Sequence, residues 1–320
     1  MQKHIRSGIG NISRIAPGRK LYTEALNPYF GYFYTIKQSL LKQKTKYQQI
    51  ELIDTDEFGK VMLLDEITQV AERKDYDYHE TMVHPAMCSH PDPQHVLVIG
   101  GGDGGILREV LKYKCVRSAE IAELDDGVIE FSKKYLTSVH DGCFDDPRVS
   151  INIVDGRRFL KSCKGRFDVI IMDMTDPFGP SRMLYTREFY RSVKKAFRNE
   201  NGIFVMHSES PVSRPQAFSC IQKTLRSVFT NVNPFYLYIH MYAVLWSVTI
   251  SSEKINASLI KPSVIDRRLA KNNLSGLRVY NGATHISMQA EFPYISQILK
   301  DRSARVITDA KPDFPDDFIS

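Results

Sequence analysis

Five carboxylates in this chain fall where a strand-like apolar run gives way to a turn: Asp103, Glu123, Asp155, Asp173 and Asp176. Asp103 lies inside Gly100-Gly101-Gly102-Asp103-Gly104-Gly105, directly after the apolar run Val96 to Ile99. Glycines let a backbone turn sharply and come close to a ligand, and the helix that follows offers free N–H groups. Glu123 stands about 20 residues further on, where an acid suits a ribose diol. Asp155-Gly156 can read an adenine edge through a carboxylate and an adjacent N–H. A carboxylate in the middle of a glycine turn would repel a pyrophosphate and attract a cation. That favours a nucleoside ligand carrying a sulfonium or an amine over a dinucleotide. One acid after a strand is commonly a helix cap. Five along one sheet edge are costly without cations to balance them, and they imply a cationic ligand.

The elements that must position these acids follow from the pattern. From His95 on, apolar runs alternate with helix-like stretches: strands over 96–99, 118–124, 149–154, 167–172, 202–206 and 246–250, and helices over 106–113, 126–135, 157–162, 187–197 and 216–229. Such alternation predicts an α/β fold with a parallel, doubly wound sheet, whose ligands sit beyond the carboxyl ends of the strands. Before it, Tyr34 to Ile36, Gln49 to Ile53 and Val61 to Leu64 read as strands. The last two form a hairpin across the turn at Asp54 to Gly59. A helix is expected from about Asp75 to His90, stopped by Pro91 and Pro93. The first 30 residues show no periodicity. Two domains are expected: an N-terminal β-strand and hairpin domain over 1–75 and a Rossmann-like catalytic domain over 76–320.

Composition narrows the class. At 42% hydrophobic and 25% charged residues, the chain is ordinary globular protein rather than disordered or fibrous. No apolar run approaches the roughly 20 residues of a membrane span. The start, MQKHIRSGIGNISRIAPGRK, is basic without an apolar core, so it is no secretory signal, and a cytoplasmic protein is expected. The excess of 43 Lys and Arg over 37 Asp and Glu is diffuse, which argues against a nucleic-acid footprint. The five cysteines are scattered with no CxxC, which points to neither a disulfide framework nor a zinc site. No ligand cluster for a metal stands out.

Taken together, Thr45-Lys46-Tyr47-Gln48, Leu64-Asp65, Gln69, Tyr78-His79-Glu80, Val96 to Val110, Asp155-Gly156, Asp173 to Pro177 and Gly179-Pro180 make a combination that resembles the polyamine aminopropyltransferases, the spermidine synthase family. The resemblance runs from about Tyr34 to Ser251. It implies a small N-terminal β domain on a Rossmann-like, S-adenosylmethionine-dependent methyltransferase-like domain. It also implies transfer of an aminopropyl group from decarboxylated S-adenosylmethionine, a co-substrate rather than a permanently bound cofactor, to a small amine such as putrescine. By position, Gln48, His79, Asp103, Glu123, Asp155 and Gly156 would hold the donor. Tyr78, Asp173, Asp176 and Tyr242 would line the acceptor side, with Asp173 as catalytic base. The family further implies a homodimer or homotetramer. Other acceptors (spermidine, cadaverine, agmatine) stay open, as does a methyltransferase on the same fold.

Four departures from the family pattern fall on or near the acceptor side. Glu66 stands where Gly is usual, which costs roughly 1 kcal/mol if that turn requires positive φ. Met174 replaces a small residue between two acids, His207 stands near a usual Gln, and Tyr238-Ile239-His240-Met241-Tyr242 lacks the usual Pro-Thr. His207 and His240 lie near strand ends, where a substrate contact competes with a structural role. The segment after residue 255 is assigned no role.

Overall fold

A computed structural model of the protein describes residues 17–177 and 179–315. Most of the basic opening stretch, residues 1–16, therefore lies outside the described residues.

The N-terminal part is a five-stranded antiparallel meander: β1 (Lys20–Asn27), β2 (Phe30–Lys44), β3 (Gln49–Thr55), β4 (Gly59–Leu64) and β5 (Ile67–Ala71), paired in chain order. β3 and β4 form the expected hairpin, with Thr55 opposite Gly59. β1 was not expected. Its burial alternates irregularly between exposed and half-buried, so it presents no apolar face to recognise. Between β4 and β5 the two-residue turn Asp65-Glu66 has φ of 47° and 65°, the left-handed pair of a tight hairpin turn. Glu66 thus occupies a position at which glycine is unstrained.

Helix α1 (Tyr76–Ser89) leads into a seven-stranded sheet. Its strands are β6 (His95–Gly100), β7 (Ser118–Glu123), β8 (Val149–Ile153), β9 (Val169–Asp173), β10 (Ile203–His207), β11 (Asn231–Ile239) and β12 (Val244–Ser252), in the spatial order β11-β12-β10-β9-β6-β7-β8. β8 to β10 across the sheet are parallel, and the terminal hairpin β11–β12 runs antiparallel. β11 escapes prediction because Pro234 interrupts it; as an edge strand it tolerates the missing N–H.

The connecting helices are α2 (Gly105–Leu111), α3 (Asp126–Tyr135), α4 (Thr137–His140), α5 (Gly156–Ser162), α6 (Arg187–Ala196) and α7 (Pro215–Arg226), followed by α8 (Pro262–Lys271), α9 (Gly282–Ser287) and α10 (Pro293–Leu299). Alternate residues of the strands feed two cores. Val96, Val98, Ile121, Val169 and Ile171 pack with α1 and α2. Leu97, Ile99, Ile170, Met172 and Phe204 pack with α5, α6 and α7 on the other face. Among the described residues no helix is long and apolar enough to cross a membrane. The chain leaves β6 toward β7 and β8, then returns to β9 on β6's other side. The switch point between β6 and β9 is where an open α/β sheet leaves a crevice.

Candidate active site

Gly100 pairs with Asp173 at that switch point, and the Gly101 N–H donates to the Asp173 carbonyl at 3.0 Å. Both glycines have positive φ, 78° and 71°. A Cβ on Gly101 would lie 3.4 Å from Asp173 Oδ2, and one on Gly102 would lie 3.1 Å from Glu123 Oε2. The glycine loop is thus flanked by two carboxylates, and side chains there would fill the space between them. Asp103 turns back to accept from the Gly105 N–H at 2.6 Å, which opens α2. Gly105 is required for a different reason: a Cβ there would come within 2.1 to 2.5 Å of the His79 ring.

Asp173 is reached from α1. The Tyr78 hydroxyl donates to Asp173 Oδ1 at 2.7 Å. The Tyr242 ring stands edge-on to Tyr78, with centroids 6.1 Å apart, and its own hydroxyl donates to the Gln69 carbonyl at 3.1 Å. Burial first, and the Asp103 charge second, push the Asp173 carboxyl up to about 6, against the opposing pull of Tyr78 and His79. Glu123 rises further, to about 7, chiefly through burial. Neither has a Lys or Arg ion pair among the described residues, whereas Asp75 has Arg108 at 2.9 Å. Two carboxylates raised by burial and like charge form a site that a cation would relieve.

His79 is held by an ion-pair chain. Its Nδ1 lies 3.0 Å from Asp75 Oδ2, and its Nε2 lies 3.8 Å from Asp103. Burial disfavours the imidazolium, but the Asp75 hydrogen bond and the charges of Asp103 and Asp75 outweigh it and hold the His79 pKa above its ordinary value. Gln48 comes from the N-terminal sheet: its Nε2 donates to Asp125 Oδ2 at 2.9 Å, beside Thr45 Oγ1 at 2.6 Å. Asp125 caps α3, and its N–H donates to Glu123. Asp155 caps α5 through the Arg158 N–H at 2.7 Å and is otherwise exposed. The Val154 N–H bonds the Glu123 carbonyl, so the ends of β7 and β8 meet. Gly156 packs on Ile99, where a Cβ would clash at 2.4 Å. Asp176 stands apart from this group. Its charged neighbour is the buried Arg214, 3.9 Å away, which also pairs with Glu209 at 3.2 Å.

Several residues received no individual role from the sequence. Asp75, Arg108, Thr45 and Asp125 orient the residues it did find. Glu24 lies on β1, its carboxylate accepting from the Thr68 N–H at 2.9 Å and from Tyr22 at 3.2 Å, with its pKa raised by burial. The Glu24 charge also helps to raise the pKa of the buried Tyr242 phenol, so this half-buried carboxylate acts on the Tyr242 side of the site. An acid three residues into an irregular strand gives no signal in sequence. His207 settles as a structural group: its Nε2 lies 2.7 Å from the Met174 carbonyl and 3.0 Å from Tyr185 Oη, and burial lowers its pKa. His240 is half exposed, 3.6 Å from Asp77. Cys88, Cys115, Cys143 and Cys163 are free thiols, and burial pushes those of Cys88 and Cys143 up to about 12.

Known proteins resemble this chain in sequence and in fold. The family model described as "Spermine/spermidine synthase domain" matches residues 75–261, and that described as "Spermidine synthase tetramerisation domain" matches residues 21–72. A polyamine aminopropyltransferase from Nitrosomonas europaea is 36% identical over 278 residues, 87% of this chain and 85% of its own. One from Bacillus subtilis is 36% identical over 243 residues, 76% of this chain and 87% of its own. A spermidine synthase crystallised with the transition-state analogue AdoDATO superposes with a TM-score of 0.82 at 33% identity, covering 88% of this chain and 94% of its own. The spermidine synthase of Thermotoga maritima gives 0.80, also at 33% identity, with the same coverage. A fold, a carboxylate-lined switch point and two family models spanning both sheets therefore agree, and the chain belongs to the spermine/spermidine synthase family of polyamine aminopropyltransferases.

Proposed function

We propose that this protein transfers the aminopropyl group of decarboxylated S-adenosylmethionine to a diamine such as putrescine, giving spermidine and methylthioadenosine. The observation that carries the reading is the Asp173 carboxylate, raised to about 6, held by Tyr78 and packed against the glycine loop with no Lys or Arg ion pair among the described residues. In this reading Glu123 takes the donor's ribose, Asp155 and Gly156 its adenine, and Asp103 its amine, with Gln48 and His79 completing that side. Tyr78, Asp173, Asp176 and Tyr242 line the acceptor side, and Glu24 meets the acceptor's far ammonium.

The acceptor nitrogen attacks the carbon next to the sulfonium. The C–N bond forms as the C–S bond breaks, the sulfur keeps the electron pair, and methylthioadenosine leaves as a neutral thioether. The nitrogen's surplus proton passes to Asp173. A carboxylate stabilises the ammonium form of the acceptor, so Asp173 does not lower that amine's pKa of about 10.4. It orients the amine and removes the proton as the bond forms. Ordinary S-adenosylmethionine carries a carboxylate beside the amine that Asp103 would bind, and like charges there select the decarboxylated donor.

The domain boundary at 75/76, a cytoplasmic location and a homo-oligomer built on the N-terminal sheet belong to the same proposal. The match of residues 21–72 to a family model named for tetramerisation supports the oligomer.

The test is mass spectrometry of products from the purified protein with decarboxylated S-adenosylmethionine and a panel of putrescine, cadaverine, agmatine and spermidine. Parallel reactions use S-adenosylmethionine and the Asp173→Asn variant. A gain of one aminopropyl group on one amine, lost in the variant, is expected. Methyl transfer, or no transfer to any amine, overturns the reading.

A further inference from the structure

The segment after residue 255 received no role from the sequence, and the synthase-domain match stops at residue 261. Near the end of the described residues, 304–314 lie against the connection between Asp173 and α6. Ala304, Ile307 and Phe314 are buried in the core on the α5–α7 face. The Arg187 N–H donates to the Ile307 carbonyl at 2.9 Å, and the Ile307 N–H donates to Thr224 Oγ1 at 2.9 Å. Asp309 joins two elements of the site: one oxygen accepts from the Thr186 hydroxyl at 2.6 Å, and the other pairs with Arg157. Arg157 follows Asp155-Gly156 and also donates to the Met183 carbonyl at 2.9 Å. Arg182 pairs with Asp313 at 2.6 Å.

The contact that reaches furthest is made by Phe314, whose ring stands perpendicular to Tyr185 at 6.1 Å between centroids. The Tyr185 hydroxyl donates to the Thr175 carbonyl at 3.0 Å and sits 3.0 Å from His207 Nε2, which also holds the Met174 carbonyl. Met174 and Thr175 directly follow Asp173. A line of contacts therefore runs from Phe314 through Tyr185 to the two peptides that fix where the Asp173 carboxylate stands.

We propose that residues 304–314 form a strap in which Phe314 and Asp309 are positioning residues, fixing the Met174–Thr186 connection and, through it, the acceptor side of the site. The proposal rests on the aminopropyltransferase reading only for its kinetic readout. Each end of the connection is tied separately. Tyr185 and His207 secure the peptides after Asp173, while Asp309, Arg157 and Arg182 secure the last turn before α6. Loss of either tie should loosen the connection without unfolding the sheets, because the partners of the two groups, Tyr185 for Phe314 and Thr186 and Arg157 for Asp309, lie outside the strands.

The experiment uses the full chain and compares wild type with Phe314→Ala, Phe314→Leu and Asp309→Asn. Amide hydrogen exchange is read across residues 174–186 and, as a control, across β6 and β9. Steady-state constants are read separately for decarboxylated S-adenosylmethionine and for the amine used by wild type. In Phe314→Ala the exchange over 174–186 should rise about tenfold, the equivalent of one buried ring contact or hydrogen bond, with β6 and β9 unchanged. The acceptor KM should rise by a similar factor, about tenfold, while the donor KM stays within about twofold. Phe314→Leu should fall between the two, and Asp309→Asn should loosen chiefly the end near Thr186. Unchanged exchange over 174–186 in both Phe314→Ala and Asp309→Asn overturns the strap. So does a uniform rise across the whole sheet, which marks general destabilisation. A wild type without turnover would overturn the catalytic reading, while the exchange data would still decide the strap.

Discussion

Tyr78→Phe and Asp103→Asn should move the pH dependence of turnover in opposite directions. The Asp173 carboxyl titrates at about 6 against an ordinary 3.8. That offset of roughly two pH units is about 3 kcal/mol against the charged form. Burial is its first cause and the Asp103 charge its second, while the Tyr78 hydroxyl opposes both. A hydrogen bond to a charged group contributes about 1.5–3 kcal/mol, of which water entering the vacated space recovers part, so removing the phenol should raise the Asp173 pKa by about 0.5–1 unit. Removing the Asp103 charge lowers it; because burial outweighs that charge, the fall should stay near 0.5 unit, on the order of 0.7 kcal/mol. Asp173 acts as the ionised base, so kcat/KM rises with pH through its pKa. The acid limb then moves up in Tyr78→Phe, toward about 6.5–7, and down in Asp103→Asn, toward about 5.5. The assay is the initial rate of methylthioadenosine release at subsaturating substrate from about pH 4.5 to 8.5. The acceptor amine and Glu123 add their own pH dependence to all three proteins, so the displacement between proteins is the quantity to read. Displacements of the same sign, or none, would refute the assignment of Asp173 as the base.

Other perturbations test separate parts of the structure. Glu123 titrates at about 7 in the folded chain against an ordinary 4.5, so its share of stability is full below 4.5 and is lost as pH rises through 7. Glu123→Gln should therefore stabilise the ligand-free protein by roughly 1–3 kcal/mol at pH 8 and leave it unchanged near pH 4, as read by urea unfolding. Glu66→Gly relieves the positive φ of the β4–β5 turn and should stabilise by about 1 kcal/mol in the same measurement, with no loss at either pH. Gly105→Ala drives a methyl group into the His79 ring, and an overpacking cost of about 2–3 kcal/mol should appear as a roughly hundredfold fall in kcat/KM for the donor. Circular dichroism of that variant should stay unchanged.

What the sequence disclosed depended on how locally each feature is specified. β6, the glycine loop and Asp173 were legible because a buried parallel strand reads as an unbroken apolar run and the acid follows it at once. The strain at Glu66 was legible because the family pattern has Gly there, and the turn does hold Glu66 at positive φ. The roles of Asp75, Asp125, Thr45 and Glu24 were not legible. Each is a single polar residue whose role depends on a partner brought from elsewhere in the chain: Thr45 is 80 residues from Asp125, and Glu24 is 44 from Thr68. β1 lacked a continuous apolar face and β11 carried a proline, so neither matched the period of a strand. Met174 stands out in the sequence only as a larger residue between two acids. Its carbonyl is also part of the anchor that His207 supplies, a main-chain role that no side-chain comparison reveals.

The seam between the two sheets also sets an order of events. Gln48 meets Asp125 across 77 residues, and Gln69 meets Tyr242 across 173. During synthesis the meander β1–β5 emerges first, and domains tend to fold as units from the N-terminus. Its wall of the cavity stays in water until the tip of the β11–β12 hairpin has left the ribosome. Because contacts of such sequence separation form slowly, the N-terminal sheet can be made well before the active site closes, and closure goes with completion of the second sheet, whose β12 follows Tyr242 in the chain.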